Sequence, residues 1–370
     1  MAVELTPGPC PSPWGEAVAS ARLKTVPEDF IVEEVLGFEP VEEPGEHLWL
    51  WVEKRGLNTD QVAVALAGDL GVDRGAVSYS GLKDRQALTR QWFSVHWHGA
   101  GRWTRGDDWQ TLPARDPSQE PGRYRVLSQC RTGRKLRRGT HAANRFEITL
   151  REVAGEPQVM EARLRQLADE GVANYFGAQR FGRGGRNIAS GLALLADRRA
   201  GRRRRRDNRE SLWISALRSA LFNQVLAARV RRGDWNRCLL GDVLQLDGRG
   251  SLFRPDPADP DWLPRLRAGE LHVTGPLPGD GRPVIADEVA ALEADVLAPW
   301  QDICADLAAL RVPAQRRALR LRVEDARWRW LAPDTLHLAF TLTAGAFATS
   351  VLQSLAELQE GEADALPAIE

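Results

Sequence analysis

The sequence predicts an α+β protein of two domains. Three observations carry this. At 370 residues the chain exceeds the usual size of a single domain. Strands of two-residue alternation are interspersed with capped helices in the first half and at the end. Near Asn174 the texture changes, and Gly and Arg become dense. Hydrophobic residues at 43% and charged residues at 27% are ordinary for a globular chain.

Residues 24–35 are extended around Pro27, and residues 47–52 form a short apolar strand with Trp49 and Trp51. Thr59 offers an N-cap with Asp60 in the first turn, apolar residues continue to Leu70, and Gly71 stops this helix. Residues 78–87 are a polar segment containing Gly81, and strand character resumes over 91–97. A loop rich in Trp, Asp, Pro and Gly covers 98–122. Residues 145–151 then alternate strictly: Phe146, Ile148 and Leu150 face one way, and Arg145, Glu147, Thr149 and Arg151 the other. An amphipathic helix spans 156–171, closed by Gly171, and a long apolar helix spans about 215–230. Residues 241–285 read as strands and turns. Further strands are expected at 320–323 and 336–342, and a last helix from Phe347 through Ser354. The lack of an internal repeat argues against a solenoid or propeller.

No secretory signal opens the sequence, and no run of eighteen apolar residues suits a membrane span, so a cytoplasmic protein is expected. The four cysteines (Cys10, Cys130, Cys238, Cys304) are far apart and form no CxxC pair; all four read as reduced. His96 and His98 share a strand face, but no third ligand accompanies them, and no metal is expected.

The net charge of zero hides local imbalance. Residues 123–151 hold nine Lys or Arg against Glu147 alone, and residues 178–209 hold eleven Arg against Asp197 and Asp207. The acids gather elsewhere: eight at 28–46 and five at 357–370, with no base in either segment. Concentrated positive segments in a neutral protein suit a polyanion docked on one side, although basic runs are also ordinary solvated loops. The arginine run 202–206 reads as a loop, because like charges at that density repel.

Three constellations could carry chemistry. In Ser80-Gly81-Leu82-Lys83-Asp84-Arg85-Gln86-Ala87, an acid between two bases is held ionised and can serve as nucleophile or general base; alone, such an Asp is usually a solvated turn former. Asn144 and Phe146 share one strand face, where a ring can stack on an unstacked base and an amide can bond its edge. On periodicity alone, Phe146 simply heads the core stripe with Ile148 and Leu150. The run 174–187, NYFGAQRFGRGGRN, interleaves aromatics, arginines and glycines as RNA contact would, with Arg180, Arg183 and Arg186 meeting phosphates. Its GRGG lacks the spacing of an ATP or NAD loop.

These segments, with residues 24–34, 215–223, 274–277 and 344–350, occur in the order that resembles the TruD family of tRNA pseudouridine synthases, over about residues 23–355. The resemblance implies a pseudouridine-synthase mixed-sheet catalytic domain (1–169 and 322–370) with a large inserted α/β domain (170–321). It implies Asp84 as nucleophile with Lys24 paired to it, Phe146 packed on the target uracil, and Phe30, Asn144 and Phe347 lining the pocket. Whether Asp84 acts at the sugar or the base stays open. The implied partner is tRNA, modified at the uridine of position 13; the implied protein is a monomer that needs no cofactor. Three departures stand out. Tyr79 and Ser80 replace small apolar residues, Gln86 a frequent His, and Ala346 a frequent Ser.

Two other classes compete. An RNA-binding module that kept the fold without the chemistry should have lost Asp84 or Lys24, and both are present. A metal-dependent nuclease built on the acids of 28–46 is disfavoured by the Pro and Gly turns among them.

Overall fold

The alternating segment at 145–151 is the middle of a thirteen-residue strand, Ala143–Gly155, on which the main sheet is built. The computed structural model describes the chain except residues 1–3, 9, 100–102, 104–107, 115–119, 203–208, 257, 259–260, 282–283 and 361–370. In chain order the first half gives β1 (Ala19–Leu23), β2 (Phe30–Val35), β3 (His47–Arg55), α1 (Thr59–Leu70), β4 (Val77–Tyr79), β5 (Leu88–His96), β6 (Gln110–Leu112), β7 (Gly122–Thr132), β8 (Ala143–Gly155) and α2 (Pro157–Glu170). The next segment gives β9 (Val172–Ala173), α3 (Ala178–Phe181), α4 (Arg186–Arg199), α5 (Glu210–Arg232), β10 (Leu244–Leu246), β11 (Leu252–Phe253) and α6 (Trp262–Arg267). It continues with β12 (Leu271–Leu277), α7 (Asp287–Leu297), α8 (Gln301–Ala309), β13 (Gln315–Ala318) and β14 (Arg320–Leu321). The chain closes with β15 (Glu324–Ala332), β16 (Thr335–Thr343), α9 (Ala348–Gln353) and β17 (Ala356–Glu360).

Among the described residues the main sheet has eleven strands, mixed in direction, in the order β15-β16-β8-β2-β5-β3-β7-β6. β1 joins β8 and β17, and β4 joins β5. Because side chains alternate, register decides which residues meet. Val32 and Phe340 flank Phe146 on its two neighbours, and Glu34 and Leu342 flank Asn144. Phe30, Val32, Phe146, Ile148 and Leu150 therefore bury one face against Met160, Leu164 and Leu167 of α2 and Val351 and Leu352 of α9. Farther along the sheet, Leu48, Leu50 and Val52 of β3 pack on Val62, Ala63 and Leu66 of α1.

A separate core lies within the segment after α2. The sheet β11-β10-β12-β13 packs with α5, whose Leu217, Leu221 and Phe222 are fully buried. Where the chain enters and leaves this segment, β9 pairs antiparallel with β14, Val172 opposite Leu321 and Ala173 opposite Arg320. Gly171 stands at that junction with φ 79°, and a Cβ there would lie 2.4 Å from the Leu321 carbonyl oxygen. Both facts require glycine.

Four expectations need correction. Asn58, not Thr59, caps α1, through a capping box with Gln61; Thr59 is turned inward, where its hydroxyl serves a neighbouring loop. Residues 241–285, expected as strands and turns, include the helix α6. Residues 324–332, unassigned from sequence, form the edge strand β15, whose half-buried Ala326, Trp328 and Trp330 alternate with exposed Arg327 and Arg329. The aromatics of NYFGAQRF are core residues: Tyr175 is 8% exposed, Phe176 6% and Phe181 2%. Within the arginine run 202–206, Arg203 to Arg206 lie outside the described residues, as do the acids Glu362, Asp364 and Glu370. No helix among the described residues is long and apolar enough to cross a membrane.

Candidate active site

Residues 80–87 cross the end of the main sheet between β4 and β5, and nearly every residue of this loop is tied down. The Ser80 carbonyl accepts from Gly139 N–H at 2.8 Å, and the Gly81 carbonyl from Gln91 Nε2 at 2.9 Å. Lys83 N–H donates to Thr59 Oγ1 at 2.9 Å, and Arg85 Nε to the Gly56 carbonyl at 3.1 Å. A loop so tied holds its side chains in place before any ligand arrives.

Asp84 is the loop's half-buried acid. Its Oδ2 accepts a 2.6 Å hydrogen bond from Lys24 Nζ, and its Oδ1 a 3.1 Å bond from Gln86 N–H. Burial alone would raise its pKa; the Lys24 charge and hydrogen bond, the Gln86 N–H and the more distant Lys54 charge outweigh burial and hold it below the usual carboxylate range. Gln86 acts through its main chain, so the departure from His at this position leaves the contact intact. Lys24 has φ 57°, a left-handed conformation that costs a β-branched or long side chain on the order of 1 kcal/mol. The strand β1 before it and the ion pair at its end hold that geometry.

Lys83 turns the other way. Its buried ammonium donates to Asn144 Oδ1 at 2.7 Å and pairs with Glu34 Oε2 at 3.1 Å. Glu34 and Asn144 are cross-strand partners on β2 and β8, so one cation bridges a pair fixed by register. Burial lowers the Lys83 pKa, and Glu34 partly restores it.

The aromatic residues follow from Lys24. Its Nζ lies 4.9 Å from the Phe30 ring centre; Phe30 meets Phe146 edge-on at 6.1 Å, and Phe146 meets Phe340 at 5.5 Å. Phe30 and Phe146 are each 6% exposed, so both belong to the core as well as to the site's wall. Phe347 is half-buried and caps α9; the tight turn before it, with Gly345 at φ 82°, follows directly on the strand end where Leu342 faces Asn144. Asp84, Lys24, Phe30 and Phe146 thus form one chain of contacts, Asn144 joins through Lys83, and Phe347 is connected by strand register.

Arg180, Arg183 and Arg186 lie apart from this group, at α3 and the start of α4. Arg183 and Arg186 are exposed, whereas Arg180 is half-buried over the Phe176 ring at 5.4 Å. Tyr79, the other departure beside the loop, is buried in the α1 core and donates its hydroxyl to Asp60 Oδ1 at 2.8 Å.

Sequence reasoning missed Lys54 and the Glu34–Lys83 pair. Lys54 is wholly buried and donates a 2.6 Å hydrogen bond to the Asp84 main-chain carbonyl. Burial lowers its pKa to about 7, against the opposing pull of Asp84. A signal existed: Lys54 continues the period-two stripe Leu48, Leu50, Val52, and Glu34 the stripe Phe30, Val32. A charged residue in an apolar register must find a buried partner. Among the described residues no cluster of three or more His, Cys, Asp and Glu could hold a metal ion.

Comparison with known proteins places the whole chain. The family model of tRNA pseudouridine synthase D (TruD) matches residues 15–199 and 197–355. A tRNA pseudouridine synthase D of Pseudomonas putida is 44% identical over 348 residues, covering 94% of each chain. That of Azotobacter vinelandii is 44% identical over 355 residues, and that of Methylococcus capsulatus 43% over 347, with the same coverage. A Methanosarcina mazei structure assigned as a tRNA pseudouridine synthase D matches with a TM-score of 0.68 at 21% identity, covering 95% of this chain and 96% of that one. That last likeness speaks for the fold. Matched along nearly its whole length, the chain belongs to the tRNA pseudouridine synthase D family.

Proposed function

We propose that this protein isomerises uridine to pseudouridine in tRNA, at position 13, with Asp84 as the nucleophile. The observation that carries the proposal is the Lys24–Asp84 pair: an ionised, half-exposed carboxylate held at 2.6 Å by an ammonium, on a loop tied at almost every residue. In the reaction the N1–C1′ bond breaks, the uracil turns, and a C5–C1′ bond forms. One proton leaves C5 and one is taken up at N1, so nothing is gained or lost overall. A carboxylate that stays charged is what such a step needs of the protein.

The target uracil must first leave its stack, at a cost of about a few kcal/mol. Contact with the Phe146 wall, flanked by Phe30 and Phe347, offsets part of that cost, since stacking on an aromatic is worth about 1–3 kcal/mol per base. Asn144, its amide oxygen fixed by Lys83, lines the pocket. Residues 1–169 and 322–370 form the catalytic domain, and residues 170–321 an inserted domain whose Arg180, Arg183 and Arg186 contact the RNA backbone. The protein works as a cytoplasmic monomer.

The test is release of tritium from C5-labelled uridine in a tRNA transcript, with EDTA present. Isomerisation frees the label and leaves the strand intact. A protein that binds tRNA and frees no label is a binding module, and strand cleavage that EDTA abolishes is nuclease activity; either result contradicts the proposal.

A further inference from the structure

Among the described residues, three arginines of the segment 170–321 carry charge that no carboxylate balances. Arg317 on β13 lies 4.3 Å from the Phe176 ring centre, and Arg180 on α3 lies 5.4 Å from the same ring. Two guanidinium groups thus share one aromatic side chain. Arg180 Nη1 reaches Ser215 Oγ on α5 at 3.4 Å, and Arg218 stands one turn farther along that helix.

The partners of all three are neutral. Arg317 Nη2 donates to Asn174 Oδ1 at 2.6 Å, and Arg218 Nη2 to the main-chain carbonyls of Pro313 and Leu277 at 2.8 and 3.0 Å. The Nε of each arginine is buried with no protein acceptor. Burial holds all three below the ordinary arginine range, Arg317 as far as about 10, where the neighbouring charge of Arg180 adds to the effect.

Two other buried arginines of this segment are neutralised by acids, and a third reaches one only through a histidine. Arg229 pairs with Asp234 and Asp242, Arg316 with Glu293, and Arg320 bonds His272, which in turn meets Asp247. Among the described residues, Arg180, Arg218 and Arg317 form no ion pair. Two like charges over one ring repel, and a bound anion would remove that cost.

We propose that Arg180, Arg218 and Arg317 form a binding site for a phosphate group of the RNA substrate, a contact separate from the target uridine. The proposal rests on the tRNA reading above and extends it to three named side chains. Donors without acceptors and charge without counter-charge call for an anion with several oxygens, which guanidinium groups bind in paired hydrogen bonds. Phe176 is 6% exposed, so the site has no open ring for a base. It reads the backbone.

The experiment measures affinity of the full-length protein for an unmodified tRNA transcript as a function of KCl, with single-turnover tritium release alongside. The variants are Arg180→Gln and Arg218→Gln, both at half-buried positions, with Arg180→Lys as a charge-keeping control. Each Gln variant is expected to flatten the slope of log affinity against log salt by about 0.7–0.9, the effect of one lost phosphate contact. KM for tRNA should rise several-fold while the rate at saturating tRNA stays within about twofold, and Arg180→Lys should recover part of the loss. As an independent arm, inorganic phosphate at matched ionic strength should raise the Tm of the unaltered protein and leave that of Arg180→Gln unmoved.

Unchanged slope and KM in both Gln variants would overturn the proposal. So would a fall in Tm without a change in slope, which marks the arginines as purely structural. If the unaltered protein binds tRNA but frees no tritium, the catalytic reading fails, and the salt slopes still decide the phosphate site.

Discussion

Lys54 and Asp84 are joined through the backbone: the wholly buried ammonium of Lys54 donates to the Asp84 carbonyl oxygen, while Lys24 holds the Asp84 carboxylate. Two lysines, one on β3 and one just after β1, thus fix one residue, one from behind and one from in front. The front contact sets the charge of the acid; the rear contact sets where it points.

The rear contact makes a pH-dependent prediction. The Lys54 pKa falls from 10.5 to about 7 on folding, so between those values the unfolded chain binds more protons than the folded one. Lys54 therefore adds stability as pH rises from about 7 toward 10, at no more than about 1.4 kcal/mol per pH unit, and that gain is lost progressively as pH falls back from about 10 to 7. In urea titrations, the stability of the unaltered protein relative to Lys54→Met should climb over this range. A flat difference would contradict the burial argument.

Removing the front contact acts on activity. In Lys24→Met, burial raises the Asp84 pKa without the opposing ammonium. The acid limb of the pH–rate profile should move to higher pH, and the rate at neutral pH should drop by about 10²-fold or more. An unmoved acid limb would mean that Lys24 does not control the charge of Asp84.

The Glu34–Lys83 pair predicts a loss of stability. Both side chains are buried, at 0% and 5% exposure, and removing one partner strands the other charge. Glu34→Gln should cost about 3–5 kcal/mol in chemical denaturation. A cost below 1 kcal/mol would show that Asn144 alone satisfies Lys83.

Phe146 and Phe347 should separate packing from recognition. Phe146, packed against Phe30 and Phe340, should lose about 3–5 kcal/mol of stability on change to Ala. The half-buried Phe347, which flanks the base beside Phe146, should lose much less stability, with kcat/KM falling by up to roughly 150-fold. Equal stability losses in the two variants would place both rings in the core alone.

Much of this was legible in the sequence. The strict alternation of 145–151 located the central strand, and Gly71 and Gly171 marked helix ends where the chain adopts positive φ. The Lys24–Asp84 pair was expected from the family resemblance and is formed across sixty residues of chain. The edge strand β15 was missed although its alternation of Ala326, Trp328 and Trp330 with arginines was legible. Nor did it reveal that Tyr175 and Phe176 face inward, because aromatics among arginines fit a core and an RNA surface equally well. Lys54 and Glu34 were visible as charges in apolar registers, but their partners come from a loop whose path only the fold defines.

Replacement of Asp84 by Asn tests the central claim most directly. It keeps the shape and removes the charge. Single-turnover tritium release from C5-labelled tRNA should fall by at least about 10³-fold while tRNA affinity and thermal unfolding remain near those of the unaltered protein. A folded Asp84→Asn protein that releases tritium at the unaltered rate would contradict the account.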